Sequence, residues 1–145
     1  MSTPRATGQS PARRFVNLEH TADLAIRAYG ATLPELFANA AYGMFAQMTD
    51  PASIAPTVQR RIELRSLDRE SLLVDWLNEL LYWRDTADEA YAQFDVQQLS
   101  PRHLRAVVRG GRGVPVSRPV KAATFHRLQI EQTPEGYAAT IVFDV

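Results

Sequence analysis

Apolar and polar residues follow two different periods along the chain, and these periods predict two helices among several strands. The run Leu24–Gly30 alternates with a period of two, which is typical of a half-buried strand. A short apolar run, Phe15–Leu18, predicts another strand before it. Leu33–Met48 repeats apolar residues every three or four positions and predicts an amphipathic helix capped by Thr32.

The second half of the chain repeats this mixture. Residues 58–64 predict a strand, and Asp68 predicts the cap of a second amphipathic helix, with Leu67 packing onto Leu72 across its first turn. Polar residues 86–90 are expected to close that helix. The remaining strands are predicted at 94–99, 104–110, 120–130 and 137–145.

This order of elements predicts the fold class. Strands, a helix, a strand, a helix and further strands indicate an α+β fold, a single-domain sandwich of mainly antiparallel sheet with two principal amphipathic helices. A chain of 145 residues has the size of one such domain. We expect residues 1–14 to form a disordered basic tail and residues 15–145 to form the domain.

The amino-acid composition excludes several kinds of site. The chain has no cysteine, which excludes disulfides, zinc–thiolate sites and thiol catalysis. Any metal must therefore be held by oxygen or imidazole ligands. No apolar run has the length of a membrane span, and the first residues lack the apolar segment of a signal peptide, so we expect a cytoplasmic protein without membrane contact.

Charge is unevenly distributed although the net charge is zero. Residues 66–95 hold eight acidic residues and two arginines, whereas residues 96–130 hold seven basic residues and no acid. Folding could bring the two blocks together so that they neutralise each other. Alternatively, the second block forms a basic face for RNA or an acidic partner.

Two pairs of residues could carry chemistry at the ends of strands. His20 and Asp23 precede the strand at Leu24, where they form either a turn cap or half of a site. Asp144 precedes the Val145 α-carboxylate, and two neighbouring anionic groups repel unless a cation or a basic side chain compensates. Oxygen-only ligation of this kind suits Ca²⁺, Mg²⁺ or Mn²⁺.

Two further pairs are weaker candidates. Lys121 and His126 are predicted on opposite faces of a regular strand, where each could bind an anion or simply face solvent. Asp75 and Glu79 lie one helical turn apart, an arrangement that is also usual on a solvated helix face. Common catalytic motifs are absent: the chain has no phosphate-binding glycine loop, no Gly-x-Ser-x-Gly and no His-Glu-x-x-His.

Four motifs, taken in order, resemble the archease family over about residues 15–145. They are His20-Thr21-Ala22-Asp23, Leu72-Leu73-Val74-Asp75-Trp76-Leu77-Asn78-Glu79-Leu80-Leu81, Val120-Lys121-Ala122-Ala123-Thr124-Phe125-His126 and Val142-Phe143-Asp144-Val145. The first motif is accompanied by Ala28-Tyr29-Gly30 and by the helix from Thr32 to Thr49-Asp50, which also match the family. The resemblance implies a small α+β protein that serves as cofactor of an RtcB-type tRNA-splicing RNA ligase. Such a protein promotes guanylylation and multiple turnover of the ligase, is not itself an enzyme, and meets tRNA or other RNA indirectly.

The resemblance also implies a divalent metal site. Its ligands match Asp23, Asp144 and the Val145 carboxylate, with Ca²⁺ as the expected ion and Mg²⁺ or Mn²⁺ as alternatives. The positions that match family motifs around this site, without an assigned role, are His20, Asp75, Glu79, Lys121 and His126.

Two other functions remain open from the residues. A small metal-dependent enzyme could use the same carboxylates on RNA or a nucleotide, with His20 as general base. An RNA-binding or chaperone-like module could use the basic stretch 96–130, including Arg105, Arg109 and Arg112.

Overall fold

The computed structural model describes residues 13–18 and 24–145. The predicted tail, residues 1–14, lies almost entirely outside this part of the chain, as do His20 and Asp23. The elements are β1 (Phe15–Leu18), β2 (Leu24–Gly30), α1 (Leu33–Met48), a 3-10 turn (Pro51–Ser53), β3 (Val58–Arg65), α2 (Arg69–Ala87), β4 (Glu89–Ser100), β5 (His103–Arg112), β6 (Ala122–Ala123), β7 (Ile130–Thr133) and β8 (Gly136–Asp144).

The strands form two antiparallel sheets. One sheet has the order β1-β2-β8-β6, with β7 also paired to β8, and the other has the order β3-β5-β4. In the first sheet, β8 is bonded along one edge to β2 and along the other edge to both β6 and β7. The predicted α+β class with mainly antiparallel sheet is confirmed.

The two helices lie in the layer between the sheets. α1 packs chiefly against β2 and β4, and α2 packs against β6 on one side and β3, β4 and β5 on the other. Aromatic side chains pack in this layer: the buried Phe45 ring meets the buried Tyr91 ring edge-on and stacks on the half-buried Phe94 ring. The buried Trp76 indole donates a hydrogen bond of 2.9 Å to the Phe37 carbonyl, which joins the helices and satisfies its N–H.

Both helix caps are confirmed. The Thr32 hydroxyl accepts a hydrogen bond from the Glu35 backbone N–H at 3.3 Å, and the Asp68 carboxylate accepts one from the Ser71 N–H at 2.8 Å. This bond to the charged carboxylate lowers the pKa of Asp68. The predicted packing of Leu67 on the first turn of α2 is wrong, because Leu67 is 81% exposed.

Two predicted element boundaries are also wrong. The chain leaves α2 at Asp88, which has a left-handed backbone (φ 57°), and enters β4 at once rather than at residue 94. The strand predicted at 120–130 is two short strands, β6 and β7, separated by a turn in which the Leu128 N–H bonds to the Phe125 carbonyl. Arg127 in this turn has φ 54°, a conformation that no regular strand contains.

Neither α1 nor α2 is both long and apolar enough to cross a membrane, and the described part of the chain contains no other helix that is.

Candidate metal and partner site at the end of β8

The end of β8 places Asp144 at the protein surface. Ala122 of β6 pairs with Asp144, and the Lys121 backbone N–H donates a hydrogen bond of 2.8 Å to the Asp144 carbonyl. The Asp144 side chain is exposed, and Val145 beyond it is 49% exposed. The backbone at this corner is therefore fixed while its carboxylate stays accessible.

β2 begins beside the same corner. Leu24 is paired with Phe143, so the first residue of β2 lies opposite the residue that precedes Asp144. His20 and Asp23, the sequence-predicted partners on this side, lie outside the described residues.

Lys121 and His126 do not share a regular strand, which corrects the prediction that they occupy its opposite faces. Lys121 precedes the two-residue β6, and His126 lies in the turn that follows it. Thr124 donates two hydrogen bonds to the Val142 carbonyl, one from its backbone N–H at 3.0 Å and one from its hydroxyl at 2.9 Å. This pair of hydrogen bonds begins the turn. The exposed His126 donates its backbone N–H to the Thr124 hydroxyl.

Asp75 and Glu79 on α2 are engaged in local hydrogen bonds. The exposed Asp75 carboxylate accepts the Ser66 hydroxyl at 2.8 Å, and Glu79 accepts the Trp83 indole N–H at 2.9 Å. Across residues 13–18 and 24–145, no three His, Asp or Glu side chains come together in a group that could hold a metal ion. The structure therefore does not gather Asp75, Glu79 and His126 around Asp144.

Asn78 is a positioning residue that the sequence reading did not identify. Its side-chain oxygen accepts the Ala123 N–H at 2.8 Å, and its side-chain NH₂ donates to the Ala123 carbonyl at 3.2 Å. This two-point contact fastens β6 to α2, and β6 in turn is bonded to the end of β8. Asn78 lies outside the apolar stripe of α2 and is half-buried, so the hydrophobic pattern of the helix did not indicate this role.

A buried ion cluster on the other side of α2 was also missed. Glu89 is fully buried and accepts hydrogen bonds from Arg60 Nε at 2.9 Å, Arg60 Nη2 at 3.0 Å, Arg112 Nη2 at 3.3 Å and the Tyr91 hydroxyl. These partners, chiefly the Arg60 guanidinium, lower the pKa of Glu89 to about 2. Arg60 occupies an inward position in the period-two pattern of β3, which signals the need for an acidic partner but does not identify it.

The cluster reaches α2 through an aromatic ring. The Arg60 guanidinium carbon lies 3.6 Å from the centroid of the Trp83 ring, whose N–H bonds to Glu79. Burial and the bond to Glu89 raise the pKa of Tyr91, and the bond to Glu89 raises the pKa of Arg60. The cluster is thus held in one charge state at neutral pH and serves to join elements.

Sequence comparison identifies proteins that are similar to nearly all of the chain. The profile of the Archease protein family (MTH1598/TM1083) matches residues 15–145. "Protein archease" of Methanosarcina acetivorans is 38% identical over 144 residues, covering 94% of this chain and 99% of that protein. "Protein archease" of Saccharolobus islandicus is 40% identical over 138 residues, covering 92% and 99% respectively.

Structural comparison gives the same result. The solution structure of Methanobacterium thermoautotrophicum protein 1598 has a TM-score of 0.76 and 37% identity, covering 90% of this chain and 98% of that one. A crystal structure from Thermotoga maritima, described as an archease and possible chaperone, has a TM-score of 0.60, covering 97% and 100%. Its sequence is only 19% identical, so this second likeness concerns the fold alone.

Proposed function

This chain belongs to the archease family, and from that premise we propose that it is a protein cofactor of an RtcB-type tRNA-splicing RNA ligase. In this proposal it promotes guanylylation of the ligase and sustains multiple turnover. In this role it is an accessory protein rather than an enzyme.

The proposed contact with the ligase is a divalent metal site at the end of β8, formed by Asp23, Asp144 and the Val145 carboxylate. The observation that carries this proposal is the pairing of Leu24 with Phe143. In the sequence, Asp23 directly precedes Leu24 and Asp144 directly follows Phe143. Two strand ends that meet in this register can supply carboxylates from both sides.

The donor set fits a hard cation. Three carboxylates in one place repel one another unless a cation compensates. Carboxylate oxygens suit Ca²⁺, Mg²⁺ and Mn²⁺ alike, but Ca²⁺ accepts irregular coordination geometry whereas the other two prefer octahedral sites. When bound, the ion would offset the charge of these carboxylates.

The chain's own residues give the site its rigidity. The Lys121 backbone N–H donates a hydrogen bond to the Asp144 carbonyl. The Asn78 side chain accepts a hydrogen bond from Ala123 of β6, the strand that begins directly after Lys121. Because the Asp144 side chain remains exposed, a protein partner can reach it without unfolding any element. We propose that this acidic tip favours the ligase conformation in which the active-site histidine accepts guanylate.

A guanylylation assay tests the proposal. An RtcB-type ligase is incubated with radiolabelled GTP, with and without this protein, and the labelled ligase is counted over time. Asp144→Ala and Asp23→Ala are expected to abolish the stimulation while the circular dichroism spectrum stays native. A tag fused after Val145 is expected to weaken stimulation because it removes the free carboxylate. Asp85→Ala, an exposed carboxylate at the far end of α2, is the matched control and is expected to stimulate fully.

Full stimulation by Asp144→Ala would overturn the metal-site proposal. Conversion of RNA or nucleotide by the protein alone, without ligase, would favour the small metal-dependent enzyme instead.

A further inference from the structure

The outer face of the three-stranded sheet carries an excess of arginine. Inward positions of β3 and β5 hold core residues such as Ile62, Leu104 and Val108. Outward positions hold four arginines and two acids. We call this surface the arginine face; its members are Gln59, Arg61, Glu63, Arg65, Gln93, Asp95, Gln98, Ser100, His103, Arg105, Val107 and Arg109.

The strand register arranges the four arginines in a row. Arg61 is paired with Val107, which places it diagonally between Arg105 and Arg109 on the neighbouring strand. Arg65 is paired with His103, which places it diagonal to Arg105. Diagonal neighbours on one face of an antiparallel pair are about 7–8 Å apart. The row Arg109–Arg61–Arg105–Arg65 is therefore continuous and zigzags along both strands.

The four arginines of this face outnumber its two carboxylates, Glu63 and Asp95, and Glu63 is paired directly opposite Arg105. Glu63 is bonded to His103 Nε2 at 2.7 Å, and this bond is the main cause of its lowered pKa. Arg109 bonds through Nε to the neutral Gln59 amide at 3.1 Å. Within residues 13–18 and 24–145, Arg61, Arg65 and Arg105 have no carboxylate within 4 Å.

The basic residues within 96–130 do not all face the same side in the folded protein. Arg112 belongs to that block but bonds to buried Glu89, as Arg60 does. Arg105 and Arg109 face outward instead, and the sheet adds Arg61 and Arg65, which lie outside the block.

We propose that the arginine face binds the phosphate backbone of a nucleic acid. Guanidinium groups hydrogen-bond phosphate oxygens through a planar fork, and a row of them can follow successive phosphates. The exposed large apolar residues of the described chain, Leu67, Tyr82, Phe125 and Val145, all lie off this face. Val107, its one apolar member, is only 8% exposed.

The same composition argues against an acidic protein as the partner. Protein interfaces are anchored by tryptophan, tyrosine and arginine side chains, and this face supplies arginines without any aromatic anchor. It also lacks aromatic rings on which bases could stack. The expected contact is therefore electrostatic and independent of base sequence, and it does not depend on the ligase proposal.

Binding of a fluorescein-labelled 20-nucleotide single-stranded RNA, followed by anisotropy between 50 and 200 mM salt, tests this inference. The whole chain is expected to bind in a strongly salt-dependent manner and equally well to RNAs of different sequence. The variant R61Q/R65Q/R105Q/R109Q is expected to bind at least about tenfold more weakly at 50 mM salt. The plot of log K against log salt should become less steep, with the magnitude of its negative slope reduced by about 3, since each of the four lost phosphate contacts on a single strand contributes roughly 0.7.

Two variants separate charge from folding. R61K/R65K/R105K/R109K retains the charge and is expected to keep the salt slope. R118Q/R127Q removes two exposed arginines outside this sheet and is expected to change affinity less than twofold. Native circular dichroism is required of each variant.

Three results would overturn the inference. One is an absence of RNA binding by the unaltered protein at 50 mM salt. The second is unchanged binding by the four-glutamine variant. The third is displacement of RNA by poly-glutamate at equal charge concentration, which would identify an acidic protein as the preferred partner.

Discussion

Asn78 bonds both polar groups of Ala123, and this single residue connects α2 to the strand beside Asp144. β6 contains only two residues, so on its own it has few ladder hydrogen bonds. Removing the Asn78 amide would leave the Ala123 N–H and carbonyl without a partner in a partly buried place. Each such group costs about 1–3 kcal/mol when it is unsatisfied.

Asn78→Ala is therefore expected to destabilise the protein by roughly 1–3 kcal/mol in urea unfolding. Amide hydrogen exchange at Ala123 should accelerate more than exchange elsewhere in the first sheet. Asp75→Asn, an exposed change one turn away on the same helix, serves as the control and should leave exchange at Ala123 as it is. If Ala123 exchanges equally slowly in Asn78→Ala, the hydrogen bonds do not hold β6 in place.

Local chemistry was predictable at the residue scale, and distant partners were not. Thr32 and Asp68 cap groups only three residues away, so short sequence patterns identify them. Asn78 acts on a residue in another element, which no local pattern specifies. Lys121 and His126 were misplaced because the period-two interpretation did not include the turn at Arg127.

At the scale of elements, the Glu89 cluster joins β3, β4 and β5 to α2. Arg60 comes from β3, Glu89 and Tyr91 from β4, and Arg112 from β5. Trp83 on α2 covers the Arg60 guanidinium. The strand boundary at Glu89 escaped prediction because residues 86–90 are polar, whereas burial of Glu89 depends on these distant cations.

The Glu89 cluster makes the free energy of unfolding depend on pH in the acid range. The pKa of Glu89 is about 2 in the folded protein, against an ordinary value of 4.5. The folded state thus binds fewer protons than the unfolded state between these values, so stability is full above pH 4.5 and falls as pH drops toward 2. Urea unfolding at a series of pH values should show this decline.

Glu89→Gln is expected to reduce that decline and to cost about 3 kcal/mol near neutral pH, because Arg60 loses its charged partner. Glu63→Gln, which alters an exposed carboxylate on β3, should keep most of the acid dependence. An equal decline in Glu89→Gln and in the unaltered protein would assign it to other carboxylates.

At the scale of the whole molecule, the two proposed surfaces belong to different sheets. The acidic tip ends β8 of the first sheet, the arginine face covers the other, and the helices lie between them. A protein partner and a nucleic acid could therefore be bound together. The net charge of zero does not reveal this separation of acidic and basic surfaces. The four arginines come together only through the register of β3 with β5.

The family resemblance and the fold class were available from the sequence, and both are confirmed. Their source is motif order and hydrophobic period, which persist over the full chain. The arginine face was not available, because β3 and β5 are distant in sequence and only their pairing places the four side chains on one surface.

The proposed metal site predicts a stability change for the whole molecule. Ca²⁺ that binds only the folded state stabilises it by about 2.7 kcal/mol at a free concentration of 100 times Kd. For a chain of this size each kcal/mol raises Tm by about 2–4 °C. Calorimetry should show this rise, and a chelator should reverse it.

Asp144→Ala is expected to abolish the calcium-dependent rise in Tm, whereas Asp85→Ala should retain it. A rise of the same size in Asp144→Ala would place calcium elsewhere on the protein.

The central position of β8 has a consequence for the protein during its synthesis. Leu24 pairs with Phe143, so the chain through Phe143 must leave the ribosome before β2 gains its second neighbour. Until then the first sheet lacks the strand that also holds β6 and β7, and folding must wait for these distant contacts. A nascent chain interrupted before β8 has neither a complete sheet nor Asp144. Completion of the first sheet therefore requires the same segment that carries Asp144.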